Sequence, residues 1–103
     1  MNVAAYTPDL MDRSKISATI PGCRFVASPE ALVGLAGVDA VIVDLSKKGV
    51  LDALPALVAA GPRVLAYGSH VDKELLSSAE SAGCTDVLPR SQFFNRLASL
   101  LAD

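Results

Sequence analysis

The sequence contains no tryptophan, and aromatic residues make up only 5% of its 103 positions. Proteins that hold single-stranded nucleic acid without sequence preference stack bases on aromatic side chains, so no platform of that kind is expected. Basic residues are also sparse, with nine Lys and Arg against eleven Asp and Glu, and they form no cluster. The positive patch that attracts a phosphate backbone is therefore missing, and we expect no nucleic-acid partner.

Cysteine and histidine are too few for most metal and disulfide chemistry. Cys23 and Cys84 are far apart, with no CxxC motif, so we expect two small buried hydrophobic side chains and neither a zinc site nor a disulfide. His70 is the only histidine, which excludes a two-histidine metal motif. A triad with Ser69 and Asp72 is disfavoured because such close neighbours do not easily face one another, and no G-x-S-x-G elbow is present. Phosphate-binding glycine motifs are absent as well.

No apolar run approaches the roughly 20 residues that span a bilayer. The amino terminus lacks the basic and uninterrupted apolar regions of a secretory signal. We therefore expect a cytoplasmic protein with no membrane partner. About half of the residues are hydrophobic, which is enough to build one core in a single domain over residues 1–103.

Short apolar runs alternate five times with segments of helical periodicity. The pattern predicts strands at Val3–Tyr6, Cys23–Ala27, Val38–Leu45, Arg63–Tyr67 and Asp86–Leu88, and helices at Asp9–Thr19, Glu30–Leu35, Val50–Ala60, Asp72–Ala82 and Gln92–Ala102. Such alternation with short connections favours right-handed crossovers and a parallel sheet with helices on both faces. The sequence therefore predicts an α/β domain, a doubly wound (βα)5 fold.

The first helix carries two detailed expectations. Thr7 is predicted as its N-cap with Pro8 at the first helical position, which is a favoured arrangement. Leu10, Ile16 and Ile20 are predicted to lie on its apolar side.

Asp44 ends the apolar run Ala40-Val41-Ile42-Val43-Asp44 and is the leading candidate for chemistry. Ligands of open α/β sheets bind at the carboxyl ends of the strands, so an acid there is a candidate ion ligand or phosphoacceptor. The alternative is a structural role, in which the carboxylate accepts backbone N–H groups of the next turn. The residues alone leave both interpretations open.

Three stretches of sequence carry a family resemblance over essentially the whole chain. They are Asp39-Ala40-Val41-Ile42-Val43-Asp44-Leu45, Val64-Leu65-Ala66-Tyr67-Gly68-Ser69 and Ala82-Gly83-Cys84-Thr85-Asp86-Val87-Leu88-Pro89-Arg90. They resemble the third strand, the fourth strand and the lysine-bearing stretch of receiver domains in two-component response regulators. The resemblance implies the flavodoxin-like strand order 2-1-3-4-5. It also implies that Asp44 is a phosphoacceptor, that Ser69 is a switch hydroxyl, and that Arg90 replaces the family's lysine.

The sequence departs from the family pattern at the metal site. A receiver's first strand normally ends in two adjacent acids that hold Mg²⁺ together with the phosphoacceptor. Here Tyr6-Thr7-Pro8 occupies those positions, and the nearest acid is Asp9. Magnesium is usually held by carboxylates and phosphate oxygens, so a site made of Asp44 and Asp9 would be poor. We expect no cofactor, and Mg²⁺ only if the domain is phosphorylated.

Arg90 keeps the lysine's charge but presents it as a planar fork. We expect it to pair with Asp44, since a partly buried charge needs a partner. Ser69 is equally consistent with a switch and with a residue that shapes its loop, and His70 is expected to face solvent or a partner.

The leading hypothesis is a stand-alone, atypical receiver-like domain that is not an enzyme and acts as a signalling or protein-interaction module. It would recognise a histidine kinase, an output protein or a second copy of itself. Recognition would use the edge that carries Asp44, or the last helix, where Phe94 is expected to be partly exposed.

The main alternative is a phosphorylatable receiver in which Asp44 takes phosphate from a histidine kinase and Asp9 or Asp12 supplies a second metal oxygen. A small hydrolase or transferase on the same fold is a weaker alternative, because no activated nucleophile is visible.

Overall fold

The computed structural model describes residues 1–102. They form a single five-stranded parallel sheet in the order β2-β1-β3-β4-β5. The strands are β1 (Val3–Tyr6), β2 (Arg24–Phe25), β3 (Ala40–Asp44), β4 (Arg63–Gly68) and β5 (Asp86–Pro89). The helices are α1 (Leu10–Thr19), α2 (Val50–Ala59), α3 (Lys73–Ser81) and α4 (Arg90–Leu101), with a short 3₁₀ helix at Pro29–Leu32. The predicted α/β fold and its strand order are confirmed.

The two faces of the sheet are covered by different helices, because successive side chains of a strand point to opposite sides. On β3, Val41 and Val43 pack with residues of α2, α3 and the 3₁₀ helix. Ile42 points the other way and packs with residues of α1 and α4, including Ile16 and Phe93. The sheet is therefore doubly wound, as the strand pattern predicts.

The register of the sheet brings three strand ends together at its carboxyl edge. Tyr6 of β1 pairs with Val43 of β3, and Asp44 pairs with Tyr67 of β4. Thr7 follows Tyr6 as Asp44 follows Val43, so these two residues lie side by side at the edge. All five residues of β3 are buried, which fixes the strand that carries Asp44 at the centre of the fold.

Helix α1 begins differently from the sequence prediction. Asp9 is its N-cap, and its Oδ1 accepts the backbone N–H groups of Met11 at 2.9 Å and Asp12 at 3.0 Å. Thr7 is instead fully buried. Leu10 is wrong as an inward residue, since it is 75% exposed, while Ile16 is buried as predicted.

The predicted helix Glu30–Leu35 is a four-residue 3₁₀ helix, Pro29–Leu32, whose N-cap Ser28 accepts the backbone N–H of Ala31. Two glycines follow it closely, Gly34 and Gly37, and Gly37 adopts a positive φ of 73°. Glycine disfavours continuation of a helix, so the segment stops after one turn.

Smaller differences concern element ends and the cysteines. β4 continues to Gly68, and α4 begins at Arg90, two residues before the predicted start. Cys23 and Cys84 are free and only partly buried. Among the described residues, no helix combines the length and hydrophobicity that crossing a membrane requires.

Candidate functional site at the carboxyl edge of the sheet

The carboxyl ends of β3, β4 and β5 open into a cleft of about 280 Å³. All four predicted edge residues line it: Asp44, Ser69, His70 and Arg90. Ser46, Tyr67, Gly68 and Ser91 complete the lining. The fold therefore brings together side chains that are up to 47 positions apart in the sequence, from residue 44 to residue 91.

Asp44 is a buried acid, 3% exposed, with its two oxygens in different situations. Oδ1 accepts the backbone N–H of Ser46 at 3.0 Å and the Ser46 hydroxyl at 2.6 Å. An Asp that binds the backbone two residues ahead makes an Asx-turn, which closes the loop after β3. Oδ2 accepts no hydrogen bond from the described residues, and none of their fully buried polar side-chain atoms lacks a partner. Oδ2 is therefore reached by solvent from the cleft.

Arg90 pairs with Asp12, and the predicted Arg90–Asp44 pair is wrong. The guanidinium forms a two-pronged contact, with Nη1 donating to Asp12 Oδ2 at 2.7 Å and Nη2 donating to Oδ1. Asp12 is completely buried, whereas Asp44 already receives two donors from Ser46. Both acids are buried, but Asp44 is already supplied with donors by its own loop, so Asp12 has the greater need of a counter-charge and takes the arginine.

Tyr67 completes the contacts of Asp12. Its hydroxyl lies 2.9 Å from Asp12 Oδ2 and 3.3 Å from Thr7 Oγ1. Burial, reinforced by the charges of Asp44 and Asp12, raises the pKa of Tyr67 well above its ordinary value of 10.0. The phenol is thus a neutral donor to the carboxylate. We refer to Thr7, Asp12, Tyr67 and Arg90 as the Asp12 network.

Aromatic rings hold the arginine end of this network in place. The Arg90 guanidinium carbon lies 6.0 Å from the ring centre of Tyr67 and 5.7 Å from that of Phe94. Tyr67 stacks on Phe93, and Phe94 meets both rings edge-on. Phe94 is partly exposed, as predicted. A cation above aromatic faces is favoured, so these rings support the position that the salt bridge sets.

Asp9 is exposed and does not line the cleft. The backbone N–H of Asp12 lowers its pKa, with smaller contributions from the N–H of Met11 and the charges of Arg90 and Lys47. One of its oxygens is already committed to the cap of α1. The Asp9 carboxylate therefore serves as the N-cap of α1.

The receiver resemblance implies a Mg²⁺ ion beside Asp44, so the oxygen atoms around Asp44 can be compared with the ligands that Mg²⁺ requires. Mg²⁺ favours octahedral oxygen coordination with one or two carboxylates plus phosphate. Around Asp44 the described residues offer one open carboxylate oxygen, because Asp12 is saturated by Arg90 and Tyr67 and Asp9 caps α1. The part of the chain that the structure describes contains no group of three His, Cys, Asp or Glu able to hold a metal ion. These residues do not fit magnesium.

Ser69 and His70 both lie beyond the end of β4, and both are exposed. Ser69 Oγ accepts the backbone N–H of Val71 at 3.4 Å, so the hydroxyl shapes the turn before α3. The strand itself ends in Gly68, which has no hydroxyl. The site residues that sequence reasoning assigned no role here are Thr7, Ser46, Tyr67 and Ser91. Asp12 was assigned only as an alternative metal ligand.

For two of these residues, Asp12 and Ser46, the sequence contains a signal. Asp12 precedes Ile16 by four positions, so both lie on the same inward face of α1. An inward acid on a helix needs a cation, which directs attention to Arg90. Ser46 follows Asp44 by two positions, the spacing of an Asx-turn. No comparable signal marks Tyr67.

No protein-family model matches the chain, and no curated protein matches it significantly in sequence. Solved structures do resemble it. The BeF3-activated receiver domain of DrrB superposes with a TM-score of 0.81 at 13% identity, covering 97% of this chain and 92% of that one. A response regulator from Hahella chejuensis gives a TM-score of 0.80 at 15% identity, with 96% and 90% covered. The CheY-like protein TadZ from Pseudomonas aeruginosa PAO1 gives 0.77 at 22% identity, with 98% and 96% covered. The chain thus has the flavodoxin-like fold of response-regulator receiver domains.

Proposed function

We propose that this chain is an atypical receiver-like domain that acts as a signalling or protein-interaction module and does not perform efficient Mg²⁺-dependent phosphotransfer. The observation that carries the proposal is the pairing of Arg90 with the buried Asp12. It commits the cation at the family's lysine position to the protein itself. Under this proposal the domain is not an enzyme.

Releasing Arg90 to hold a phosphoryl group would cost stability. Removing one partner of a buried ion pair typically costs about 3–5 kcal/mol, because the other charge stays buried without a counter-charge. The Arg90 side chain is 45% exposed, which places the cost near the lower end of that range. Even this amount opposes phosphoryl binding by roughly two powers of ten.

The small number of carboxylates at the edge also opposes phosphoryl transfer. In phosphoryl transfer, bound metal ions neutralise the charge that develops on the transferred group. Thr7 brings a hydroxyl to the strand end where the family has acids, and that hydroxyl faces Tyr67. With Asp44 as the one open carboxylate of the cleft, the charge of the transferred group would be poorly compensated.

Recognition of a protein partner then falls to the exposed parts of the same edge, with Ser69 and His70 on the turn after β4. A histidine kinase or an output protein is the partner class that the receiver resemblance suggests. Self-association through α4 and its partly exposed Phe94 is a further prediction of this proposal.

A phosphorylatable receiver is the second candidate, and one observation favours it. Asp44 ends the central strand and its Oδ2 is open to the cleft, so a phosphodonor has access to an oxygen that the described residues leave free. The two candidates differ in whether Asp44 gains a phosphoryl group when Mg²⁺ and a donor are supplied.

The deciding experiment incubates the full chain with MgCl₂ and acetyl phosphate and measures its intact mass. We expect no gain of one phosphoryl group in the wild type, and none in Asp44→Asn. Asp39→Asn is the matched control, because Asp39 is an exposed acid just before the same strand. A near-stoichiometric gain in the wild type and in Asp39→Asn, absent from Asp44→Asn, would overturn the proposal.

A further inference from the structure

Asp44 is a buried carboxylate with one oxygen left open to a cleft. It is 3% exposed, and the two donors of Ser46 go to Oδ1 only. No ion pair to Asp44 occurs among the described residues, whose salt bridges join Arg63 to Asp86 and Arg90 to Asp12. A buried charge without a counter-charge is unfavourable, so the cleft is suited to a cationic group supplied from outside.

The cationic side chain that lines the cleft is engaged elsewhere, because the Arg90 guanidinium is held by Asp12. Lys47, the nearest lysine in sequence, does not line the cleft. The cleft thus keeps the unpaired negative charge of Asp44.

The cleft favours an ammonium group over a guanidinium group. Guanidinium gains its advantage from bidentate contact with both oxygens of a carboxylate. Here Oδ1 is occupied and only Oδ2 remains. An ammonium group is a compact charge with three donors, and it can contact Oδ2 and the serine hydroxyls that line the cleft, Ser46, Ser69 and Ser91.

The surroundings of the cleft suit a polypeptide more than a free amine. Val71 follows the cleft residues Ser69 and His70 and is 74% exposed. An exposed apolar side chain next to the cleft can contact a residue that flanks a bound lysine in a polypeptide, and a free amine cannot use that contact.

We propose that the cleft binds a lysine side chain of a partner protein, with the ammonium group paired to Asp44 Oδ2 and an apolar neighbour of that lysine resting on Val71. The inference rests on the proposed function, because it requires an Asp44 that is not phosphorylated. It adds the chemistry of the partner: a lysine with an apolar neighbour.

The test is an NMR titration of the ¹⁵N-labelled full chain with n-butylammonium chloride at constant ionic strength. A ligand of about five heavy atoms should bind with a dissociation constant on the order of millimolar. We expect saturable shifts at the amides of Ser46, Gly68, Ser69 and Ser91. Affinity should fall at least about tenfold in Asp44→Asn, since one charge-assisted contact is lost. It should be unchanged in Asp52→Asn, an exposed acid on α2 outside the cleft.

If Asp44→Asn does not fold, the binding of different ligands to the wild type tests the same proposal. Uncharged n-butanol should cause no saturable shifts at these amides. The peptide acetyl-Leu-Lys-Leu-amide should bind several-fold more tightly than butylammonium, because a leucine beside the lysine contacts the exposed Val71.

Four results would overturn the inference: absence of saturable shifts with butylammonium, tighter binding of ethylguanidinium, tighter binding of MgCl₂ at the same amides, or binding of butylammonium without binding of the peptide. If butylammonium fails and acetyl phosphate leaves no phosphoryl group, this inference falls while the proposed function stands. If acetyl phosphate modifies Asp44, the proposed function falls and the inference falls with it.

Discussion

At the scale of the residue, two buried acids at one sheet edge have different partners. Asp12 receives donors from Arg90 and Tyr67 on both of its oxygens, while Asp44 receives Ser46 on one. The first acid is satisfied within the chain, and the second is left with an open oxygen. This difference separates a structural network from a candidate binding site.

The stability of the Asp12 network can be measured by removing one partner at a time. Arg90→Met should lower the free energy of unfolding by about 3 kcal/mol, because Asp12 then stays buried without a cation. Asp12→Asn should cost less, about 1–2 kcal/mol, because the freed arginine can turn towards solvent. Urea unfolding at neutral pH measures both variants.

Arg96→Met is the control for these two variants, since Arg96 is exposed on the same helix and should change stability by no more than about 0.5 kcal/mol. An Arg90→Met variant as stable as Arg96→Met would show that the network contributes nothing to the fold.

Tyr67 should make the stability of the protein depend on alkaline pH. Its pKa is raised in the folded state, chiefly by burial, whereas in the unfolded chain it takes the ordinary value of 10.0. Above that pH the unfolded state loses a proton that the folded state keeps, so stability falls as pH rises. The loss attributable to Tyr67 should reach about 1.4 kcal/mol by pH 11.

The variant Tyr67→Phe isolates this effect. It should cost about 1–2 kcal/mol near pH 8, where a buried hydrogen bond to Asp12 is lost. The difference from the wild type should narrow between pH 10 and pH 11. Urea midpoints at the three pH values measure it, and a difference that stays constant would contradict the account.

At the scale of the element, the sequence predicts the strands well because apolar runs between turn residues leave few alternatives. β1 matches its predicted bounds, and β3 lies within its predicted range. Helix starts are predicted less well. The Thr7-Pro8 pair predicts that Thr7 is the N-cap of α1, which is wrong. The Thr7 hydroxyl contacts Tyr67, and Asp9 is the N-cap.

The sequence predicts some parts of the site and not others. The convergence of Asp44, Ser69, His70 and Arg90 follows from strand ends alone, and the sequence suffices to predict it. The partner of Arg90 depends on which buried acid lacks donors from its own loop. That is a property of the packed helix α1, which spacing alone does not rank.

Helix α1 is a sensitive element, because Asp12 and Ile16 are its only buried residues. Asp9→Ala should therefore loosen its first turn and speed the amide exchange of Met11 and Asp12, whose N–H groups lose their acceptor. Asp9→Ser should restore most of the protection, because serine is also a good N-cap.

The contribution of Asp9 should also depend on pH. Its pKa is lowered in the folded state, so its stabilisation is present above the ordinary value of 3.8 and is lost as pH falls through the folded value. The difference between the wild type and Asp9→Ala should shrink in acid. Equal exchange rates in the two proteins at neutral pH would show that the cap does not hold α1.

At the scale of the whole molecule, the chain combines the receiver fold with an internal ion pair at the carboxyl edge of its sheet. The strand order is that of the receiver fold, and Asp44 lines the cleft at the carboxyl edge of the sheet. The acids of the first strand are replaced by Thr7 and its neighbours, and the cation at the lysine position is paired with Asp12. The proposed lack of phosphotransfer rests on that ion pair.

The most direct measurement of this claim is fluorine NMR of the full chain with beryllofluoride and MgCl₂, since beryllofluoride mimics a phosphoryl group without chemical turnover. The account predicts no protein-bound fluoride signal at any Mg²⁺ concentration, with the wild type and Asp44→Asn giving identical spectra. A stoichiometric bound signal in the wild type that requires Mg²⁺ and disappears in Asp44→Asn would contradict it.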